Sequence, residues 1–239
     1  MTMTDSFESL LAAPTPDRPL LGLTVLLVED SRFASEAMRL LCLRSGARIR
    51  RADSLAAARK HLRVYRPNVV IVDLGLPDGS GAELIGELDA ARPRVDVLLG
   101  MSGDSGAESL AREAGADGFI GKPISSLGTF QAAVLGALPP EARPRGLRAG
   151  AEDRVSPDPI ALQDDFVHVA DLLTTETGEG MLDYIAQFLS GVARTAGDGE
   201  MEDAARRLAG LRQAGLPYGP EIARIAGLVH GRIEPRKVV

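Results

Sequence analysis

Residues 69–81 read VVIVDLGLPDGSG, and this stretch decides the fold. Four apolar residues of high β propensity run directly into a carboxylate, Asp73. A proline and three glycines follow within eight residues. A short apolar run that is bounded by turn residues is typical of a buried strand. Turn chemistry does not require an acid at the end of such a strand, so Asp73 is a candidate functional residue.

Outward from this strand, short apolar runs alternate with amphipathic stretches. Strands are predicted at LTVLLV, ARIR, VVIV, VDVLLG and GFIG, and helices near residues 33–44, 54–65, 82–91, 105–114 and 126–137. Five strands and five helices in strict alternation predict an α/β fold. We expect a (βα)5 doubly wound parallel sheet with helices on both faces.

The chain divides into four predicted segments. Residues 1–20 contain three prolines and are expected to form a flexible N-terminal arm, whereas residues 21–138 carry the α/β domain. Residues 139–159 hold five more prolines and are predicted to be a linker. Beyond them the apolar residues follow a helical period, and about four helices over residues 160–239 predict an all-α helical bundle.

Composition and charge narrow the classes of function. No apolar run approaches the roughly 20 residues that span a bilayer, and the N-terminus is acidic where a secretory signal is positive, so we expect a cytoplasmic protein without membrane contact. Residues 151–239 hold 9 Lys+Arg against 15 Asp+Glu and carry the whole net charge of −6. Such an acidic region repels phosphate backbones, so nucleic acid is not an expected partner.

Five polar residues follow the ends of the predicted strands. The carboxyl ends of the strands in a doubly wound sheet lie together at one edge, and such folds place their sites there. The residues are Glu29, Asp30, Asp73, Ser102 and Lys122. Three close carboxylates repel one another and need a cation, and an all-oxygen site of this kind suits Mg²⁺. A carboxylate beside Mg²⁺ and an ammonium group can attack a phosphoryl group, so Asp73 is a candidate nucleophile.

At these residues the chain resembles the receiver domains of two-component response regulators, which have the flavodoxin-like fold. The resemblance covers about residues 22–137. Its motifs are the acidic pair Glu29-Asp30, the run DLGLPDGSG from Asp73, Ser102 in MSG, Lys122-Pro123, and the aromatic Phe119 three residues before the lysine.

The resemblance implies a phosphoacceptor and a metal site. Asp73 would take a phosphoryl group from the phosphohistidine of a histidine kinase or of a histidine phosphotransfer protein. Mg²⁺ would be held by Glu29, Asp30, Asp73 and the backbone carbonyl of Gly75. The chain would thus act in a two-component system or phosphorelay, and we do not expect it to be an enzyme.

The resemblance also implies roles for the remaining site residues. Lys122 would pair with a phosphoryl oxygen, and Ser102 would move to hydrogen-bond another. Phe119 would shift inward with the Ser102 loop and repack the neighbouring surface. The Lys122-Pro123 bond is expected to be cis. Gly103 departs from the family pattern, which often has alanine there, so we expect a more flexible loop.

The second domain has two interpretations. Residues 160–234 are distantly similar to a histidine phosphotransfer domain, with Arg206 of AARRLAG at the position of the phosphorylatable histidine and Ala209 at that of a lysine. This likeness implies a bundle that contacts a protein partner or supports self-association without carrying phosphate. The alternative is a transcriptional regulator, because EIARIAGLVHGRI resembles the first helix of a helix-turn-helix.

Overall fold

The computed structural model describes residues 13–104, 106–140, 143, 153–175 and 178–233. Most of the predicted N-terminal arm, residues 1–12, lies outside them. The strands are β1 (Thr24–Val28), β2 (Arg48–Ala52), β3 (Val69–Asp73), β4 (Gly75–Leu76), β5 (Gly79–Ser80), β6 (Val97–Ser102) and β7 (Gly118–Gly121). The helices are α1 (Arg32–Ser45), α2 (Leu55–Leu62), α3 (Gly81–Ala90), α4 (Ala107–Glu113), α5 (Leu127–Ala137), α6 (Pro159–Thr174), α7 (Glu179–Ala196), α8 (Gly199–Gln213) and α9 (Gly219–Ile233).

Five of the strands form one parallel sheet in the order β2-β1-β3-β6-β7. β3 lies at its centre and is buried along its whole length, which is why the sequence VVIVD is apolar on both faces until its last residue. β2 lies at the edge, and its sequence RIRRA is largely exposed. The predicted doubly wound α/β fold is confirmed.

Helices cover both faces of the sheet and create two separate cores. Successive strand residues point to opposite faces. In β1, Leu27 therefore packs in one core with Met38 of α1 and Phe130 of α5, whereas Leu26 packs in the other with Leu84 of α3. All five are buried, and each such side chain contributes roughly 1.5–3 kcal/mol. The two cores fix the strands, and hence the positions of the strand ends.

Serine caps start four of the helices that flank the sheet. Each hydroxyl accepts a hydrogen bond from a backbone N–H in the first helical turn, and the caps are Ser31, Ser54, Ser80 and Ser126. Since these helices follow strands, the caps lie near the carboxyl edge of the sheet.

A small hairpin, β4 and β5, follows β3 where the sequence indicated a turn. Gly75 pairs with Ser80. The carboxylate of Asp78, between the two strands, accepts hydrogen bonds from the N–H groups of Leu55 and Ala56 at 2.8 and 2.9 Å. The turn beyond Asp73 is thus tied to the start of α2.

Helices α6 to α9 form the helical domain, as predicted. Their core contains Phe166, Ile185, Leu189 and Leu208, among other buried side chains. α7 and α8 are joined by a turn in which the carboxylate of Asp198 accepts the N–H of Met201 and closes the start of α8. Within the described residues, no helix combines the length and apolar character needed to span a membrane.

The described part of the predicted linker is attached to the α/β domain. The N–H of Val155 donates to the carbonyl of Ser125 at 2.9 Å, and the N–H of Leu127 donates to the carbonyl of Asp153 at 2.9 Å. The Val155 side chain is buried in the core beneath α1 and α5. The chain therefore enters α6 from a fixed point on the α/β domain.

Candidate functional site

The structure brings the strand-end residues together at the carboxyl edge of the sheet. Glu29 and Asp30 follow β1, Asp73 ends β3, Ser102 ends β6, and Lys122 follows β7. All five line one small cavity. Glu29, Asp73 and Ser102 are only 3%, 7% and 4% exposed, so this is a buried polar site on an otherwise apolar sheet.

The three carboxylates lie close enough to share one cation. One oxygen from each of Glu29, Asp30 and Asp73 lies within 4.8 Å of the other two. The ammonium of Lys122 lies between two of them, with Nζ 2.6 Å from Glu29 Oε2 and 3.0 Å from Asp73 Oδ2. The site thus contains three carboxyl groups, each able to carry a negative charge, and one positively charged ammonium group.

Burial sets the proton affinities of this cluster. It raises the pKa of Asp73 to about 7, with Lys122 opposing the shift and the charge of Glu29 adding to it. Burial likewise raises the pKa of Glu29 to about 7 and that of Asp30, which also faces Asp73, to about 6. Burial alone would lower the pKa of Lys122, but Asp73 and Glu29 raise it above its usual value. The cluster carries uncompensated negative charge that a cation would relieve.

The remaining predicted site residues lie on the β6 and β7 side. Ser102 Oγ accepts the N–H of Asp104 at 3.2 Å, and the carbonyl of Ser102 accepts the N–H of Lys122 at 2.8 Å, which ties the two strand ends together. The Lys122-Pro123 peptide bond is cis, as the resemblance implies. Phe119 is partly buried against the core under α2, α3 and α4, and its switch role stays a prediction.

The helical domain reaches the same site, which the sequence did not predict. The hydroxyl of Tyr184 donates to Asp30 Oδ2 at 2.6 Å, and Gln187 and Arg194 line the cavity together with Asp73. Asp165 of α6 accepts hydrogen bonds from the start of α1. These side chains come from a different domain, and nothing in their helical period distinguishes them from ordinary surface residues.

A parallel α/β sheet thus carries three clustered carboxylates and a lysine at its carboxyl edge. Residues 25–134 match the family model described as the response regulator receiver domain. This part of the chain is therefore a response regulator receiver domain.

Curated relatives and solved structures are similar to this part of the chain. The KDP operon transcriptional regulatory protein KdpE of Escherichia coli (strain K12) is 32% identical over 114 residues, which are 48% of this chain and 50% of that protein. The transcriptional regulatory protein KdpE of Mycobacterium tuberculosis is 33% identical over 100 residues, 42% of this chain and 44% of that protein. The chain thus spans about half the length of these relatives.

Among solved structures, the receiver domain of sensor histidine kinase PA1611 from Pseudomonas aeruginosa PAO1 has a magnesium ion coordinated in its active site cleft. It is 21% identical with a TM-score of 0.42, and the match covers 46% of this chain and 92% of that chain.

Proposed function

We propose that this protein is a response regulator that accepts a phosphoryl group on Asp73. The position of Asp73 carries the proposal: it ends the central strand, buried beside Glu29, Asp30 and Lys122. The donor would be the phosphohistidine of a histidine kinase or of a histidine phosphotransfer protein. The chain would act within a two-component system or phosphorelay, and as a signalling component rather than an enzyme.

The residues at the sheet edge fit a divalent cation. Three carboxylate oxygens lie within 4.8 Å of one another, and burial raises the pKa of each acid, so a hard cation would find clustered oxygen ligands and excess negative charge. The ligands would be Glu29, Asp30, Asp73 and the carbonyl of Gly75. Mg²⁺ bound there would neutralise charge on the phosphoryl oxygens.

The residues of this chain divide the transfer step among them. A carboxylate oxygen of Asp73 attacks phosphorus, the new O–P bond forms as the N–P bond to the donor imidazole breaks, and the imidazole nitrogen keeps the electron pair and takes up a proton. Lys122, already 3.0 Å from Asp73 Oδ2, pairs with a phosphoryl oxygen. Ser102 donates its hydroxyl to another, and Phe119 repacks with the moving loop.

The output is protein interaction through the helical domain. Residues 151–239, which include this domain, carry the chain's whole net charge of −6, and the domain consists of four helices without strands among its described residues. Arg206, at the position where the distantly similar phosphotransfer domains have histidine, is exposed on α8 and pairs with Glu202 at 2.6 Å. The likeness to a phosphotransfer domain without its histidine stays a prediction.

A transcriptional role is the second candidate, because the curated relatives of the receiver part are named transcriptional regulators. DNA binding driven by phosphate contacts weakens steeply as salt rises. Binding of the phosphorylated protein to duplex DNA with such a salt dependence would favour this candidate, and no binding at low salt would favour protein interaction.

Labelling with a small phosphodonor tests the proposed acceptor. In phosphoramidate and Mg²⁺, the full chain should gain one phosphoryl group, and Asp73→Asn should gain none. Asp96→Asn is the matched control, because Asp96 is exposed at the opposite end of the sheet, before β6. Intact mass and peptide mapping give the stoichiometry and the position. Equal labelling of Asp73→Asn and Asp96→Asn would refute the proposal.

A further inference from the structure

Charges of opposite sign are concentrated in two separate stretches of the sequence. Residues 44–66, which contain β2 and α2, hold eight Lys+Arg and one acid, Asp53. Residues 155–193, which contain α6 and most of α7, hold seven Asp+Glu and no lysine or arginine. Surfaces with an excess of one sign of charge favour partners of the opposite sign, and this chain contains one surface of each kind.

The positive charges of the first stretch form a surface that we term the basic corner. It consists of five exposed side chains on the edge strand β2 and around the end of α2: Arg48, Arg50, Lys60, Arg63 and Arg66. The guanidinium carbon of Arg50 lies 6.0 Å from the centroid of the Tyr65 ring, which connects the strand to the segment after the helix. Val64, in the same segment, is 79% exposed. The corner thus offers an apolar contact among its cations.

No carboxylate of the described residues forms an ion pair with the basic corner. Arg59, next to Lys60 in α2, is by contrast paired with Glu87 at 2.6 Å. Charged residues on an edge strand discourage pairing with other strands, which explains the arginines of β2 but not the cations around the end of α2. The corner therefore carries positive charge that the molecule itself leaves uncompensated.

The second stretch contributes a complementary surface on α6, which we term the acidic face. Its apolar centre is Ile160 and Val167, which are 63% and 42% exposed and lie two turns apart on the side of α6 away from the bundle core. Four carboxylates line the two grooves beside them: Asp53, Asp158, Asp164 and Asp171. Among the described residues, only Asp164 of these four has a cationic partner, Arg32 at 2.8 Å. The acidic face thus has the composition of the basic corner with the charge reversed.

The two surfaces lie at opposite edges of the sheet. Arg48 begins β2 and Arg66 precedes the start of β3, so the basic corner is at the amino edge. Asp165 of α6 accepts hydrogen bonds from the first turn of α1, and Asp158 shares a groove with Asp53 just after β2, so the acidic face is at the carboxyl edge. In this arrangement the two surfaces cannot meet within one molecule, but they can meet between two.

We propose that the basic corner of one molecule binds the acidic face of a second copy, so that the protein associates head to tail. The inference rests on the proposed output, protein interaction through the helical domain, and identifies the partner as the receiver of another copy. A heterologous contact of this kind leaves one surface open at each end of a pair, so further copies can add. Nucleic acid is the less suitable partner for the corner, because residues 151–239 would bring a net charge of −6 towards its phosphates.

Analytical ultracentrifugation of the full chain tests the association and its dependence on charge. At about 0.01 M salt, where the Debye length is roughly 30 Å, the mean mass should rise above the 25.2 kDa of one chain as the protein concentration increases. At about 1 M salt, where the Debye length is roughly 3 Å, the mass should return to that of one chain. A mass of one chain at every concentration in low salt, or association that is equally strong at both salt concentrations, would overturn the inference.

Two variants each remove one of the surfaces. The corner variant carries Arg48→Glu and Arg63→Glu, and the face variant carries Val167→Lys and Asp171→Lys. Each variant should raise the Kd of association at least about tenfold, because the new side chains place like charges opposite each other. A Kd that stays at the wild-type value in either variant would overturn the inference.

Matched controls change residues of the same kinds outside the two surfaces. All of the positions are exposed, and the control pairs are Arg112→Glu with Arg206→Glu for the corner variant and Leu216→Lys with Asp203→Lys for the face variant. Both controls should associate like the wild type. A loss of association in the controls as large as in the two variants would show a dependence on net charge alone and would overturn the inference.

Mixing the two variants tests whether the two surfaces bind each other. The corner variant keeps its acidic face and the face variant keeps its basic corner, so an equimolar mixture should form pairs of about twice 25.2 kDa that do not extend further. A mixture no heavier than either variant alone would overturn the inference. A single-stranded oligonucleotide that binds a monomeric wild type but not the corner variant would also overturn it, and would assign the corner to nucleic acid.

Labelling with phosphoramidate in the same proteins separates this inference from the proposed phosphoacceptor. Every variant and control should gain one phosphoryl group on Asp73, which also shows that its receiver is folded. Labelling of Asp73 without association would overturn the inference and leave the proposed acceptor intact. Association without labelling of Asp73 would instead overturn the proposed acceptor and leave the contact between copies intact.

Discussion

Substitution of the phosphoacceptor should stabilise the metal-free protein. Asp73 is buried with Glu29 and Asp30, and burial raises its pKa from 3.8 to about 7. Such a carboxyl binds its proton more tightly in the folded than in the unfolded chain. The contribution of this carboxyl to the free energy of unfolding is then fully present below pH 4. It is lost as the pH rises to about 7, because the folded state binds more protons than the unfolded state in this window. Asp73→Asn removes the charge and should recover the lost stability.

The size of the effect follows from the pKa shift. One pKa unit corresponds to 1.36 kcal/mol, so a rise from 3.8 to about 7 sets an upper limit of roughly 4 kcal/mol at pH 8. Part of the shift comes from the charge of Glu29, and Asp73→Asn also removes a partner of Lys122. We therefore expect Asp73→Asn to raise the free energy of unfolding by about 2 kcal/mol.

Urea unfolding in EDTA, at pH 8 and at pH 4.5, measures this difference. The gain of Asp73→Asn over wild type should be present at pH 8 and mostly disappear at pH 4.5, where the folded Asp73 is protonated. Asp96→Asn removes an exposed charge of the same kind and should show neither effect. Our account of the buried cluster is refuted if Asp73→Asn is no more stable than Asp96→Asn at pH 8, or if its gain is the same at both pH values.

Three further predictions concern the same cluster. Mg²⁺ at about 100 times its Kd should raise the free energy of unfolding of the wild type by roughly 2.7 kcal/mol, measured by thermal unfolding. Asp30→Asn should lose most of that gain. An equal gain in both proteins would contradict the assigned ligands. Lys122→Ala should lower the free energy of unfolding at pH 8 by roughly 3–5 kcal/mol, because it leaves buried carboxylates without their cation, whereas the exposed Lys60→Ala should change it little. Gly81→Ala should destabilise the receiver and slow its phosphorylation, because the added Cβ would lie 2.0 Å from the Asp73 carbonyl oxygen. Unchanged stability and labelling would contradict this prediction and show that the loop can move to make room for the methyl group.

The receiver and its site could be predicted from the sequence because their signals are local. A parallel sheet buries its central strands on both faces, so each strand is a separate apolar run, and its end is visible wherever a polar residue follows. Glu29, Asp73 and Lys122 meet because the fold places all strand ends at one edge. The β4 and β5 hairpin was not predicted, since two-residue strands leave no period in the sequence.

The contact between the two domains could not be predicted in the same way. The period of α7 shows which residues face its own bundle, such as Ile185 and Leu189, but not which part of its remaining surface meets another domain. Tyr184 and Arg194 are ordinary helix residues until the α/β domain supplies Asp30 and the carbonyl of Gly103. Such a contact depends on how the surfaces of two folded domains fit together, and the sequence of one helix describes only one of those surfaces.

Gly103 shows how a sequence departure can mark such a contact. From the sequence alone, glycine after Ser102 predicts a flexible loop. In the structure the Arg194 guanidinium lies where a Cβ of residue 103 would be, and the amide end of the Gln187 side chain has the same relation to Gly75 across the site. Two loops that hold the phosphoacceptor site are thus free of side chains where one helix meets them. Gly103→Ala tests whether this contact depends on the missing methyl group, because it leaves the carboxylates, the lysine and Ser102 as they are.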